Sequence, residues 1–265
     1  MGSLKYLIPN GFTALSMIFG FTSILSSASG DFHLAAWMIT WGVLLDKLDG
    51  SAARLFNASS EFGVQFDSFA DSVIFGIAPA SLFYFWVSAD PQAARWGALS
   101  VYGLLGASAY LVMTTCRLAR FNISEPPGGD RFFYGLPTTL SGAILSTGYL
   151  TLEAYAQKNG GPLPNLPHLE GSALSCGLVI ILAMSALMVS PLLLPKLKPR
   201  KSLPVNIFQF ANVIAAYILA PMMLFPEYLL SLCLIYVVVG FSHGALVGLG
   251  EPSDEAHERE ALSEQ

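Results

Sequence analysis

Between positions 46 and 71 the sequence reads DKLDGSAARLFNASSEFGVQFDSFAD, with Asp46, Asp49, Asp67 and Asp71 set in otherwise apolar surroundings. On a helix, Asp46, Asp49, Gly50 and Ala53 stand at i, i+3, i+4 and i+7, so two carboxylates and two small residues share one face. Asp67 and Asp71 form an i, i+4 pair on the next helix. The intervening RLFNASSEF reads as a tight turn between antiparallel neighbours, which lets the four carboxylates face each other. Like charges a few ångströms apart oppose one another's ionisation, and each is costly at membrane depth. Lys47 lies on a different helical face from Asp46, and Arg54 is better aimed at a ligand phosphate. Compensation therefore points to one or two divalent cations, and an all-oxygen donor set suits hard ions such as Mg²⁺ or Mn²⁺. Helix capping does not account for the pattern, because a cap needs one carboxylate and each helix here presents two.

The elements that must carry these residues are membrane helices. Of 265 residues, 54% are hydrophobic and 12% charged, and the mean hydropathy is +0.57, whereas soluble domains have roughly a quarter of their residues charged. Windows long enough to span hydrocarbon, about 20 residues each, recur over 11–29, 33–56, 64–88, 97–121, 135–156, 172–194, 205–225 and 227–249. The expected fold is thus an all-α, polytopic membrane bundle of about eight transmembrane helices. Residues 1–250 are expected to form one domain, and 251–265 an acidic, disordered tail. Residues 1–9 read as a short interfacial segment ahead of Asn10. Lys5 before the first apolar run and SSASG after it imitate a cleavable signal peptide, but the run is long for one.

Lys and Arg are distributed unevenly between the two sides. Arg117, Arg120, Arg131, Lys196, Lys198, Arg200 and Lys201 fall on the side of the termini, against Arg95 and Lys158 on the other. Both termini are therefore expected in the cytoplasm, with the aspartates at the cytoplasmic ends of their helices. Cys116, Cys176 and Cys233 have no paired spacing and are expected to be free and buried. His33, His168, His243 and His257 lack ligand spacing. Gly103, Gly106, Ala107 and Ser108 read as close helix packing.

The spacing Asp46-x2-Asp49-Gly50-x2-Ala53-Arg54-x8-Gly63-x3-Asp67-x3-Asp71 resembles, position for position, the signature of the CDP-alcohol phosphotransferase family. The resemblance implies that the four aspartates hold a pair of divalent ions, which bind the diphosphate of a CDP-linked donor, with Asp71 as general base. It further implies that Gly50 and Ala53 admit the nucleotide close to the helix, that Arg54 contacts its phosphates and that Gly63 leaves room for cytidine. The segment IPNGFTALS is similar to the family's N-terminal block, so Asn10 and Thr13 are candidates for touching the nucleotide. They equally suit an ordinary helix start. A homodimer is also implied.

Within the family, FDSFADSVIFGIAPA, CRLARFN and FYGLPTTLSGA resemble the branch that uses serine as acceptor. Ser72 stands where phosphatidylglycerol-phosphate-forming members usually carry Lys, while Ser51 departs from the Arg common in serine enzymes. The implied reaction moves a phosphatidyl group from CDP-diacylglycerol to the hydroxyl of L-serine and releases CMP. A serine carboxylate needs a cation. Arg120 is the leading candidate, with Arg117 or Asn122 assisting, although both arginines also suit the positive-inside boundary. Glycerol 3-phosphate, an inositol phosphate or choline remain alternative acceptors, and Arg117, Arg120 and Arg131 are available to a phosphorylated one. PKLKPRKS suits either lipid headgroups or orientation. The expected setting is the cytoplasmic membrane among its lipids, with the active site facing the cytoplasm and no nucleic-acid partner. A divalent-cation transporter is the competing class, but it requires a second polar layer at the midplane that the sequence lacks.

Overall fold

A computed structural model describes residues 4–89, 98–123, 132–158, 171–196 and 203–248. The described chain is built from α1 (Leu4–Ala28), α2 (Phe32–Leu55), α3 (Glu61–Ser88), α4 (Ala98–Ile123), α5 (Thr138–Lys158), α6 (Gly171–Val189), α7 (Leu203–Leu219) and α8 (Pro226–Gly248). Three of them, over Lys5–Ala28, Glu61–Ser88 and Pro226–Leu246, are long and apolar enough to cross a membrane, with shorter apolar helices at Cys176–Val189 and Asn206–Leu219. The expected acidic tail and the loops carrying Arg95, Arg131, Lys198, Arg200 and Lys201 lie outside the described residues.

Three boundaries differ from expectation for identifiable reasons. Helix α1 runs unbroken from Leu4 through Pro9 instead of leaving 1–9 as a separate segment. A proline this near the start removes few backbone bonds, and Lys5 Nζ anchors the end by donating to the Asn57 carbonyl at 3.1 Å. Helix α6 stops at Val189 rather than 194. Pro191 cannot extend the hydrogen-bond ladder, and β2 (Leu193–Pro195) instead pairs antiparallel with β1 (Phe132–Tyr134), Phe133 opposite Leu194. Helix α7 ends at Leu219, before Pro221. The short ladder has no counterpart in an all-α expectation. It lies in a notch on α8, where a Cβ on Gly240 would meet Leu194 and one on Gly244 would meet the Leu193 carbonyl.

Among the described residues the core contains two buried clusters. Ala35, Ala36, Trp37, Ile39, Leu82, Tyr149 and Leu150 join α2, α3 and α5. Phe83, Val87, Tyr110, Ile144, Ile181 and Met188 join α3, α4, α5 and α6. Helix α3 passes between them and changes winding on the way: α-helical to Asp71, π-helical over Ser72–Ile77, then α-helical again. Such a bulge loosens backbone bonding and re-aims the residues around it. Here the Phe75 carbonyl is met by the Tyr110 hydroxyl at 3.0 Å.

Glycines on the neighbouring helices receive the bulge. A Cβ on Gly20 of α1 would come 3.0 Å from the Ile74 Cα, one on Gly42 of α2 would run into the Ile74 side chain, and one on Gly142 of α5 would approach Phe75 to 2.8 Å. Ile74 and Phe75 are themselves fully buried. Helix α3 is therefore locked in height and rotation against α1, α2 and α5 just past its second aspartate. Close packing by Gly103 and Gly106 is also present, against Val87 and Leu178. The cysteines are free, but Cys116 and Cys176 are exposed rather than buried. They sit on outward faces of their helices, where an apolar thiol is as comfortable beside lipid as in a core.

Gly42→Ala should destabilise the fold by about 1–3 kcal/mol through overpacking, measured by thermal unfolding in detergent. The same change should cost less in an Ile74→Ala background, since the methyl then enters vacated space.

Candidate active site

Helix α2 begins with its N–H groups capped by Asp31, whose side chain accepts from the Leu34 amide. Its far end carries Asp46 and Asp49 into the turn at 56–60, where Asn57 adopts a positive φ of 46° and the Ala58 amide returns to the Ala53 carbonyl at 2.9 Å. Helix α3 then starts at Ser60, whose hydroxyl accepts from the Gly63 amide. The cap is thus a serine, and Asp67 and Asp71 are interior positions one turn apart. The turn reverses the chain, so the two aspartate faces meet.

One carboxylate oxygen from each of Asp46, Asp49 and Asp67 lies within 4.8 Å of the others. Asp71 lies against Asp46, with Asp67 and Asp49 adding to the negative field around it and Arg117 opposing it. Asp49 is buried. Lys47 reaches back from its own face to within 3.9 Å of Asp46 Oδ2, but it is largely solvated, and such an exposed pair is worth little. The donor set is all oxygen, with no sulfur or imidazole, and the negative charge exceeds the nearby positive charge. These are the properties a hard divalent cation requires, so the residues present fit one.

Other helices hold the carboxylates. From α1, the buried Thr13 hydroxyl lies 2.9 Å from Asp49 Oδ2 and 3.2 Å from the Pro9 carbonyl. From α5, Thr139 Oγ1 lies 3.3 Å from Asp46 Oδ2. Asn10 sits beside Gly63, its Oδ1 3.5 Å from where a Cβ would be. A Cβ on Gly50 would meet nothing within 4 Å, so the helix surface beside the cluster is open. Arg54 is exposed, its Nη2 3.5 Å from the Ser51 hydroxyl on the same helix. Ala53 is partly buried in the same turn.

The two arginines of α4 take different surroundings. Arg120 donates to the Val189 carbonyl at 2.9 Å and the Ser190 carbonyl at 3.3 Å, at the C-terminus of α6, and stacks over Tyr134. A cation there satisfies carbonyls that the helix leaves unbonded. Arg117 is buried, donates from Nη1 to Thr138 Oγ1 at 3.1 Å and leaves Nε without a hydrogen-bond partner. The charges it faces are those of Asp71 and Asp46. Asn122 bonds the Ser68 hydroxyl at 3.0 Å, tying α4 to the residue after Asp67. Thr138 and Thr139 escaped the sequence reading, because two hydroxyls after a proline look like any helix start.

The bundle brings the aspartates of one helical hairpin together beside an open glycine face and a buried arginine, an arrangement suited to a hard cation and its anionic ligand. The family model for CDP-alcohol phosphatidyltransferase matches residues 6–159, and the chain belongs to that family. The curated proteins it is similar to include several named CDP-diacylglycerol–serine O-phosphatidyltransferase. That of Helicobacter pylori (strain ATCC 700392 / 26695) is 34% identical over 197 residues, 74% of this chain and 75% of the relative. That of Bacillus subtilis (strain 168) is 36% identical over 138 residues, 52% of this chain and 72% of the relative. That of Methanocaldococcus jannaschii is 29% identical over 228 residues, 86% and 89% respectively.

Asp67→Asn should weaken Mn²⁺ binding by at least about tenfold, read by electron paramagnetic resonance titration of the purified protein. Unchanged affinity would contradict a cation held by this cluster.

Proposed function

We propose that the protein transfers the phosphatidyl group of CDP-diacylglycerol to L-serine, yielding phosphatidylserine and CMP. The observation that carries the reading is the convergence of Asp46, Asp49 and Asp67 within 4.8 Å in a chain of this family. The shared name of its relatives supports serine as acceptor.

In this reading Asp46, Asp49, Asp67 and Asp71 hold two divalent ions, Mg²⁺ or Mn²⁺. Ions held there would supply charge neutralisation for the donor diphosphate and for departing CMP. The open surface at Gly50 and the neighbouring Ala53 admit the diphosphate, exposed Arg54 contacts its oxygens, and Asn10, Thr13 and Gly63 border the cytidine. The Asp71 carboxylate takes the proton of the serine hydroxyl. The serine oxygen then bonds to the phosphorus bearing diacylglycerol, and the bond from that phosphorus to the CMP oxygen breaks.

The acceptor side rests on the α4 arginines. Arg117 is buried, faces the charge of Asp71 and retains an unpartnered Nε, which suits a carboxylate positioned beside the base. Arg120 already bonds α6 carbonyls, which supports a role behind Arg117 rather than against serine, and Asn122 steadies α4 at Ser68. Glycerol 3-phosphate or an inositol phosphate would call for several converging cations, and among the described residues the geometry favours only Arg117. A transporter pathway would have no use for a base–arginine pair at one end of the bundle.

The wider setting belongs to the same proposal. Eight helices of 17–28 residues are long enough at about 1.5 Å per residue to approach or span the hydrocarbon layer. We take residues 1–250 as one integral domain of the cytoplasmic membrane with both termini and the aspartates on the cytoplasmic side. The Lys and Arg bias supports that orientation. A homodimer among membrane lipids follows the family resemblance.

Release of CMP from CDP-diacylglycerol should require L-serine in a panel that includes glycerol 3-phosphate, inositol phosphate and choline. Turnover with another acceptor alone would overturn serine. Arg117→Ala should raise the serine KM by about 10–100-fold, the equivalent of one charge-assisted hydrogen bond, with a smaller effect on the KM of the donor.

A further inference from the structure

The start of α5 is the junction between the metal cluster and the acceptor arginine. Thr138 and Thr139 are consecutive, so their side chains leave the helix about 100° apart. Thr138 is fully buried and accepts from Arg117 Nη1 of α4 at 3.1 Å. Thr139 donates to Asp46 Oδ2 of α2 at 3.3 Å. Resting on the function proposed above, we infer that these two hydroxyls are positioning residues: Thr139 sets the rotamer of the metal-holding Asp46, and Thr138 that of the serine-binding Arg117.

Both partners need such a hold. A carboxylate has two oxygens, and each accepts more than one hydrogen bond. Thr139 meets Oδ2 of Asp46 and Asp71 lies against the same carboxylate, so the rotamer that presents Asp46 to the cluster is set from two sides. Arg117 has a long flexible side chain facing the carboxylates of Asp71 and Asp46, and without a fixed Nη1 it would collapse onto Asp71. That would neutralise the base and remove the cation from the acceptor. The Thr138 hydroxyl holds one edge of the guanidinium and leaves Nε unpartnered.

The height of the threonine pair is itself fixed. Gly135 has a positive φ of 62°, and a Cβ there would come 2.5 Å from the Met188 carbonyl. Its amide donates to the Leu192 carbonyl at 2.7 Å, and the amide of fully buried Leu136 donates to the Leu187 carbonyl at 3.0 Å. Arg120 bonds the next carbonyls of the same α6 terminus, those of Val189 and Ser190. The end of α6 thus anchors the start of α5 with the threonines in register with α2 and α4.

The test uses Thr139→Val and Thr138→Val, which keep shape and lose the hydroxyl, beside Thr139→Ser and Thr138→Ser, which keep it. In the purified full-length protein, Thr139→Val should weaken Mn²⁺ binding about tenfold, the usual scale for a residue that orients a metal ligand. Thr139→Ser should restore it, and the serine KM should follow the metal. Thr138→Val should raise the serine KM by a similar factor while leaving Mn²⁺ affinity at the parent value, and Thr138→Ser should rescue. If a valine variant fails to fold, the alanine variant supplies the same comparison. Parent-like Mn²⁺ affinity in Thr139→Val, alongside a loss in Asp46→Asn, would overturn the inference for Thr139. A parent-like serine KM in Thr138→Val, alongside a raised KM in Arg117→Ala, would overturn it for Thr138. Parent-like behaviour of Asp46→Asn and Arg117→Ala would instead remove the functional reading beneath both.

Discussion

Mutual repulsion within the aspartate cluster is the constraint around which the rest of the molecule is arranged. Two unit charges 4.8 Å apart at an effective dielectric near 20 repel by about 3.5 kcal/mol, and a quartet contains several such pairs. No helical hairpin keeps its acidic faces together of its own accord. The opposing forces must come from packing elsewhere on the same helices, and from the cation that the oxygens are suited to bind.

That packing is concentrated one turn past Asp71. The π-helical stretch of α3 drives Ile74 into a space between Gly20 and Gly42, and Phe75 against Gly142. Large side chains entering glycine notches on three helices resist both sliding and rotation, because any shift meets backbone rather than a flexible side chain. The Tyr110 hydroxyl covers a carbonyl within the bulge, so the distorted winding leaves that group satisfied. The same stretch that stiffens α3 therefore fixes where Asp67 and Asp71 point.

A second layer divides labour between side chains of one type. Arg117 and Arg120 are three residues apart on one helix, so they share a face, yet they do different work. The end of α6 presents carbonyls to Arg120, and the partly buried carboxylates of Asp71 and Asp46 face Arg117. One arginine fastens helices together while the other stays buried beside Thr138 and faces the charges of Asp71 and Asp46. The connection from α6 to α5 then joins them, since Leu136 hangs on the Leu187 carbonyl of the helix that Arg120 clamps and Gly135 on the Leu192 carbonyl just beyond it.

Much of the site was legible in the chain because helical period decides which side chains share a face. The i, i+3 and i, i+4 spacings of Asp46, Asp49, Asp67 and Asp71, with a short polar turn between them, were sufficient to anticipate an all-oxygen cluster, in which Asp46, Asp49 and Asp67 come within 4.8 Å of one another. Apolar windows likewise located the eight helices of the described residues to within a few residues, except where Pro9, Pro191 and Pro221 shifted an end, although only three of these helices are long and apolar enough to cross a membrane. The sequence could not say which partner each polar side chain would choose. Thr139 meets Asp46 across 93 positions and Arg120 meets Val189 across 69, and contacts of that range depend on how helices stack rather than on local pattern. Thr13 read as a helix start or a nucleotide contact, and only folding set it against Asp49. Local spacing determined the chemistry on offer, and tertiary packing decided which groups are held ready to perform it.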